Sequence, residues 1–429
     1  MTHSYNHLFE QLISYDNIKT AIFNAAKRKR KRNDVRYILA NIEEHITKII
    51  YMLENGEFKP QVHSLRRIYD GVNRKERFIT QPYFFRNAFG EAVYEQIVHH
   101  AVIQVLKPVF MKSMYFHSNG SIPDRGCHRG KKYLAKFIKE HKNSKDIKYY
   151  AQADIRHFYQ SVNTGILKDK LRKIIHDEKF LQVVFTIIDS NLVIWEGKKE
   201  RTGLPIGFYP SQWFANFYLT ELDHKIKEEF KVPFYTRYMD DMVFIGGNKK
   251  CLTSLIDKVS DELKHLGLKL KPNHRIELFD YEKNGKVTGK PIDVMGFKFY
   301  RNRVVLRKHI LSKSMKAARK VHETIKNNKF NWYVASRLMS YLGWYKHTNT
   351  YNFFKKNILP YAHIHACRKI IRQHSRRDLW LTKTRRADLQ SRLLFREKGL
   401  RNYFNRRKRN DIRTNLENIR VSEQTRTCR

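Results

Sequence analysis

Phe234-Tyr-Thr-Arg-Tyr-Met-Asp-Asp-Met-Val-Phe-Ile-Gly246 is the stretch from which the fold can be read. Two adjacent acids interrupt short runs of aromatic and β-branched residues, and Gly247-Asn248 follows. The pattern predicts a β-hairpin with carboxylates at its tip. Neighbours on a strand face opposite ways, so only one of Asp240 and Asp241 can aim squarely at a given ligand. Paired acids among apolar side chains are costly unless a positive charge neutralises them. A divalent cation is the simplest neutraliser, which makes the hairpin a candidate for phosphoryl-transfer chemistry.

A second acid stands out upstream, in Tyr149-Tyr-Ala-Gln-Ala-Asp-Ile-Arg-His-Phe-Tyr-Gln-Ser-Val162. The segment begins strand-like, and Asp154 is the only acid between Lys148 and Thr164. Alone, Asp154 reads equally well as the cap of a turn or helix start. Beside the hairpin it completes a set of three carboxylates from two distant segments. Such a set suits two Mg²⁺ ions about 3.5–4 Å apart, with Mn²⁺ as a substitute. Magnesium takes hard oxygen ligands and completes its shell with substrate phosphates.

The bulk numbers agree. The chain has 429 residues, enough for two or three domains or one large enzyme with lobes. Its 41% hydrophobic content can fill a core. Lys plus Arg is 85 and Asp plus Glu is 41, a formal net charge of +44. A surplus of that size calls for a polyanionic partner, nucleic acid before all others. No apolar stretch reaches the ~20 residues that span a bilayer, and the first ten residues lack the pattern of a signal peptide. Cys127, Cys251, Cys367 and Cys428 are scattered and form no disulfide framework or zinc-type pair. A reducing cytoplasm is the expected setting, with no membrane partner.

Along the chain, residues 1–58 read as a basic helical region, interrupted by Lys27-Arg-Lys-Arg-Lys-Arg32. Between a solvated helix face and phosphate contact, the overall charge favours phosphate contact for Lys27, Arg28, Lys29 and Arg30. A long apolar helix is expected around Val93 to Phe110, then a Gly/Pro/Arg stretch and a basic helix. Strand and helix patterns alternate from Lys148 to Arg307, and the pattern is helical from Lys308. His363 and Cys367 have the spacing of one helix face, and a structural role is expected for them. The Arg/Lys-rich tail after Ser375 is expected to be mobile unless bound.

Asp154-Ile-Arg-His-Phe-Tyr159, Gly203-Leu-Pro-Ile-Gly-Phe-Tyr-Pro-Ser-Gln-Trp-Phe-Ala-Asn-Phe-Tyr-Leu219 and Tyr238-Met-Asp-Asp241 resemble motifs A, B and C of reverse transcriptases, in that order. Arg77-Phe-Ile-Thr-Gln-Pro82 and Glu95-Gln-Ile-Val-His-His-Ala101 resemble the fingers. Leu268-Lys-Leu-Lys-Pro-Asn273 resembles motif D, and Val294-Met-Gly-Phe-Lys-Phe299 the motif E hairpin, or primer grip. The resemblance spans roughly residues 60–350.

The resemblance implies an α+β right-hand polymerase: fingers and palm over 59–305, the palm an antiparallel sheet with helices, a helical thumb over 306–375 and a basic tail over 376–429. It makes Asp154, Asp240 and Asp241 the metal-binding catalytic acids, helped by the backbone carbonyl of Ile155. Tyr159 takes the place of the aromatic that blocks a ribose 2′-hydroxyl. Lys75 and Arg77 would clamp the incoming triphosphate, and Lys271 would neutralise or protonate the leaving pyrophosphate. Ile206, Gly207, Ser211 and Gln212 would line the nascent pair, and Met295, Gly296 and Phe297 would form the primer grip. Trp344 reads as apolar thumb packing, while Lys346, His347 and Asn349 would touch the duplex backbone.

In many reverse transcriptases a Gln follows the motif B proline; here it is Ile206, and Ser211-Gln212 replaces the common Ser-Pro. This departure resembles diversity-generating retroelement enzymes and the unknown-group, defence-associated ones, although Phe208 stands where the diversity-generating enzymes often carry Asn. The expected function is an RNA-directed DNA polymerase that copies a partner structured non-coding RNA in a bacterial retroelement or anti-phage system. Its further partners would be dNTPs, a DNA product or RNA–DNA hybrid, and an accessory protein or second polymerase subunit. Three alternatives stay open: a diversity-generating enzyme with a basic accessory protein, a non-catalytic RNA-binding maturase or chaperone on the same scaffold, and template-independent or protein-primed synthesis with a Tyr or Ser hydroxyl as primer.

Overall fold

A computed structural model describes residues 4–375 apart from residues 60, 64, 71–74, 191, 196–197, 202 and 284–285. The N-terminal region forms four helices, α1 (Leu8–Ile13), α2 (Tyr15–Ala26), α3 (Asn33–Ala40) and α4 (Ile42–Glu54). The Lys27–Arg32 run is the turn between α2 and α3. Strands β1 (Leu65–Asp70) and β2 (Lys75–Thr80) pair antiparallel and lead to α5 (Glu95–Ser113) and α6 (Cys127–Glu140). Helix α5 is apolar almost all round, with Ile97, Val98, Ala101, Val102 and Leu106 all buried, as expected of a helix inside the core.

Next come β3 (Tyr149–Asp154), α7 (Phe158–Ser161), α8 (Thr164–Arg172), α9 (Glu178–Asp189) and the hairpin β4 (Leu192–Trp195)–β5 (Lys198–Arg201). They are followed by α10 (Ser211–Tyr218), α11 (Thr220–Glu228), β6 (Phe234–Tyr238), β7 (Asp241–Gly246), α12 (Lys249–His265) and β8 (Arg275–Leu278). Asn163, Asp177 and Asn248 cap α8, α9 and α12, each accepting from a backbone N–H in the first turn.

The four-stranded sheet has the order β6-β7-β3-β8. Its central strands are buried on both faces: Met242, Val243, Phe244 and Ile245 of β7 are all fully buried. That burial fixes the register, since a one-residue slip would turn every side chain to the wrong face. Antiparallel pairing of β3 with β7 runs from Tyr149↔Gly246 to Asp154↔Asp241. Two smaller sheets follow, β9 (Tyr281–Lys283) with β10 (Lys286–Thr288), and β11 (Ile292–Val294) with β12 (Phe297–Phe299) and β13 (Val304–Leu306). Helices α13 (Lys308–Lys326), α14 (Trp332–Tyr345), α15 (Tyr351–Asn357) and α16 (Leu359–Ala362) come next, then a helix over 364–375.

The chain divides into two compact units, Met1–Lys313 with Gly343–Phe354, and Ser314–Leu342 with the chain from Lys355 onward. Within the second, the His322 and His363 rings stack and share a hydrogen bond of 2.8 Å, and Cys367 is buried. His363 has a left-handed backbone and precedes the last helix, so it does not share a helix face with Cys367 as its spacing had led us to expect. The tail over 376–429 lies outside the described residues.

Candidate active site

The predicted hairpin is present, and its acids are placed by the strand register. Asp154 ends β3 directly opposite Asp241, which starts β7. Directly opposed residues project to the same face of a sheet, so the two carboxylates share one side. Asp240 occupies the tip, and its carbonyl accepts from the Ile155 N–H at 3.2 Å. Met239, beside it, has φ of 57°, an uncommon value for a side chain of that size.

The motif D segment closes the same end of the sheet. Lys271 donates its backbone N–H to the Asp154 carbonyl at 2.8 Å, and its ammonium sits 2.6 Å from Asp154 Oδ1. Gln152, two residues before Asp154 and therefore on the same strand face, donates to Asp241 Oδ1 at 3.1 Å. Burial raises the Asp241 carboxyl to about 7; the Gln152 hydrogen bond opposes this, the charges of Asp154 and Asp240 add to it, and Arg307 opposes it. Arg307 is itself bonded to Asp293. A group poised near neutrality between two other carboxylates is the electrostatic signature of a site built for a cation.

The donor chemistry fits a hard divalent ion. Asp154, Asp240, Asp241 and the Ile155 carbonyl offer only oxygen. Among the described residues no three Asp, Glu, His or Cys side chains close into a cage by themselves. An ion here would therefore complete its shell with water or substrate phosphate, as Mg²⁺ commonly does.

The glycine-rich segment 203–210 is clamped between two parts of the chain. Gly203 has φ of 68°, and the adjacent Leu204 N–H donates to the Tyr159 carbonyl at 2.7 Å. A Cβ at Gly203 would lie 2.6 Å from Gln160 Cα and nearer still to the Tyr159 carbonyl oxygen. Gly207, with φ of 120°, is pressed as tightly on Thr80 of β2, whose N–H donates to the Ile206 carbonyl at 2.7 Å. Ser211 is buried with its hydroxyl on the Pro205 carbonyl at 2.7 Å, and the Gln212 carbonyl accepts from Asn216. Tyr159 and Ile206 thus sit on segments tied together through backbone, with both side chains partly exposed.

A cavity of about 300 Å³ opens beside Gly207. Lys29, Arg32, Arg66, Gln96, His99, His100 and Tyr209 contribute to its wall. It gathers cations without a lining carboxylate. Lys29 bonds the Gln96 side chain, and burial followed by the nearby Arg32 charge lowers its pKa. The His100 and Tyr209 rings stack at 4.3 Å. Of the predicted run, Lys29 lines this cavity, while Lys27, Arg28 and Arg30 are exposed. The cavity was not foreseen, because His99 and His100 read as part of an apolar helix.

The motif E turn is the Met295–Gly296 link between β11 and β12, both residues having positive φ. Phe297 is fully buried, and Trp344 packs on it at a ring distance of 5.1 Å. Lys346 and His347 are exposed; the His347 ring lies 5.9 Å from that of His128. The Asn349 side-chain carbonyl is engaged internally, accepting the Val304 N–H at 2.9 Å. Lys75 and Arg77 lie on β2, but their side chains fall outside the described residues.

Residues 92–299 match the family described as reverse transcriptase (RNA-dependent DNA polymerase). Over 248 residues the chain is 24% identical to the group II intron-encoded protein LtrA of Lactococcus lactis subsp. cremoris, covering 57% of this chain and 36% of that protein. It is 27% identical over 171 residues to the retron Ec73 reverse transcriptase of Escherichia coli, covering 37% of this chain and 49% of that one. The chain thus spans between a third and a half of the length of these relatives. A solved telomerase from Candida tropicalis with a telomeric RNA fragment overlaps 66% of this chain and 53% of its own, at 15% identity and a TM-score of 0.45. Among the described residues no helix is long and apolar enough to cross a membrane.

Proposed function

Starting from the reverse transcriptase domain that residues 92–299 form, we propose that this protein is an RNA-directed DNA polymerase that copies a partner structured non-coding RNA. We place it in a bacterial retroelement or anti-phage defence system. The observation that carries the reading is the Asp154↔Asp241 register, with Asp240 at the tip and Lys271 on Asp154. A pair of Mg²⁺ ions held there would activate the primer hydroxyl and balance charge on the reacting phosphate and leaving pyrophosphate.

The chain's own groups do the rest. Lys271 reaches Asp154 Oδ1 now and is placed to release it to an incoming cation and turn to the triphosphate. Tyr159, fixed through its carbonyl by Leu204, excludes a 2′-hydroxyl sterically. Ile206 presents an aliphatic surface to the nascent pair. Lys29, Arg32 and Arg66 favour a phosphate backbone passing beside Gly207. The net charge of +44 exceeds what one hybrid duplex requires, and supports a dedicated structured RNA read by shape and unpaired loops.

Primer extension on an RNA template tests the chemistry. The wild type should incorporate dNTPs with Mg²⁺. An Asp240→Ala, Asp241→Ala double variant should bind the same RNA with unchanged affinity and extend nothing. Extension by that variant would overturn the assignment of the acids, and unchanged biological activity in the absence of extension would favour the maturase or chaperone reading. Sequencing the nucleic acid that copurifies with the protein identifies the template.

A further inference from the structure

Arg237 is 1% exposed, and among the described residues Lys170 is the only other buried Lys or Arg. Its guanidinium makes four hydrogen bonds to three different segments. Nε and Nη2 donate to the two carboxylate oxygens of Asp223 on α11, at 2.8 and 2.5 Å. Nη1 donates to Asn216 Oδ1 on α10 at 3.1 Å and to the backbone carbonyl of Met239 at 2.9 Å. Asp223 is fully buried and also accepts from the Tyr235 hydroxyl at 2.7 Å. Burial is the largest single influence and would lower the Arg237 pKa, but the charge and hydrogen bonds of Asp223, with Tyr235 adding to them, together outweigh it and hold the guanidinium protonated.

The Met239 contact is the informative one. Met239 lies at the hairpin tip with a left-handed backbone, and its carbonyl belongs to the peptide plane that carries the Asp240 N–H. Holding that carbonyl fixes the plane from which Asp240 projects. Gly120 also packs on the tip, where a Cβ would lie 2.6 Å from the Met239 nitrogen. Asn216 completes the clamp, donating to the Gly120 carbonyl at 2.9 Å while accepting from Arg237.

We infer that Arg237 is a positioning residue for the metal-binding acids: through the Met239 carbonyl, and braced by Asp223 and Asn216, it holds the hairpin tip in the geometry that presents Asp240 and Asp241. The inference rests on the polymerase reading for its chemistry, but not for its geometry. A planar five-donor group is required, because one flat fork must serve a carboxylate and a carbonyl at once. The charge is needed only to match Asp223.

The role separates from simple fold support by removing both charges together. An Arg237→Gln, Asp223→Asn variant leaves no unpaired buried charge, yet the Gln amide is too short to reach both the side chain at position 223 and the Met239 carbonyl. Full-length protein is compared for melting temperature, for Mn²⁺ affinity by electron paramagnetic resonance without nucleic acid, and for kcat and KM toward dNTP. Groups that orient metal ligands typically change metal affinity or activity by about 10- to 100-fold when altered. The double variant should therefore stay folded with a lowered melting temperature, because it loses buried hydrogen bonds but no charge is left unpaired, and it should lose Mn²⁺ affinity and kcat on that scale while keeping its dNTP KM. A folded variant with wild-type Mn²⁺ affinity and kcat overturns the inference. Arg237→Lys, which keeps the charge but not the fork, is the second variant, with the same expected losses and the same overturning result. A wild-type protein that binds Mn²⁺ but extends no primer would sink the polymerase reading, while the Mn²⁺ measurement still decides the role of Arg237.

Discussion

Replacing Gly203 by Ala tests whether the glycine segment sets the sugar gate. The added Cβ would sit 2.6 Å from Gln160 Cα, against an ordinary carbon–carbon separation of about 3.5–4.0 Å. The α7 backbone at Tyr159–Gln160 must therefore retreat by about 1 Å. Alanine at φ of 68° adds roughly 1–2 kcal/mol of backbone strain. Loss of the 2.7 Å Leu204–Tyr159 hydrogen bond adds about 1 kcal/mol. These two terms alone come to roughly 2–3 kcal/mol, a large fraction of a typical stability of about 5–15 kcal/mol, so the fold of the variant is checked by its melting temperature. The catalytic cost is larger, because a displacement of about 1 Å near reacting groups can cost on the order of 100-fold in rate. Single-turnover incorporation of a dNTP and its matching rNTP, on one RNA template, reads both effects. The variant should incorporate dNTP at least about tenfold more slowly and discriminate less against rNTP, with RNA affinity unchanged. A folded variant with wild-type rate and discrimination would refute the coupling of Gly203 to Tyr159.

Three other outcomes follow from the same structure. Ile206→Gln restores an amide at the nascent pair and should shift the misincorporation spectrum, most strongly at template adenines; an unaltered spectrum in primer extension would defeat the idea. RNA affinity should fall linearly on a log–log plot against salt, with a slope of about −0.7 to −0.9 per phosphate neutralised, and a flat titration would remove the case for a large cationic footprint. Metal-free stability should fall as pH is lowered from about 6.5 to 4. Burial holds His99 well below its ordinary range, and burial with nearby cations lowers His100 and His117 to about 4. The unfolded chain therefore binds more protons in that window, and each net proton steepens the loss by about 1.4 kcal/mol per pH unit. Asp241, raised to about 7, acts in the opposite sense over the same window, but one carboxyl opposes three imidazoles. Thermal melts at pH 6.5, 5.5 and 4.5 check the sign, and a protein that gains stability toward pH 4.5 would contradict it.

What was legible in the sequence was short-range. The hairpin, the place of Asp154 at a strand end and the glycine turn before α10 all follow from local pattern, since strand alternation and turn chemistry act over a few residues. The facing of Asp154 and Asp241 needed a long-range register, which resemblance supplied and burial of β3 and β7 enforces. Arg237 was passed over because a cation in a chain of net charge +44 reads as surface. The signal available was its place inside an aromatic strand, two residues from Tyr235 on the same face, with Asn216 and Asp223 seven apart on neighbouring helices. Gln152 was likewise available from alternation with Asp154. The cationic cavity had no local signal, because its wall combines a turn after α2, strands β1 and β2, helix α5 and the segment after Gly207.

The contacts of residues 203–216 hold this segment in place without the side chain of Ile206. Gly203 touches Tyr159 through backbone, Gly207 touches Thr80 through backbone, Ser211 holds the Pro205 carbonyl, and Asn216 joins Arg237 beneath the acids. Each of these contacts uses a main-chain group or a fully buried side chain, and none uses the side chain of Ile206. The segment's position is therefore set independently of what residue 206 presents to the nascent pair. On the proposed reading, a change at 206 should alter which base pairs are accepted without moving the acids, whereas a change at 203, 207 or 216 should displace the frame itself. If residue 206 faces the nascent pair as proposed, specificity and catalytic geometry should be separately adjustable, because the frame is held by glycine backbone contacts and buried side chains and not by the side chain at 206.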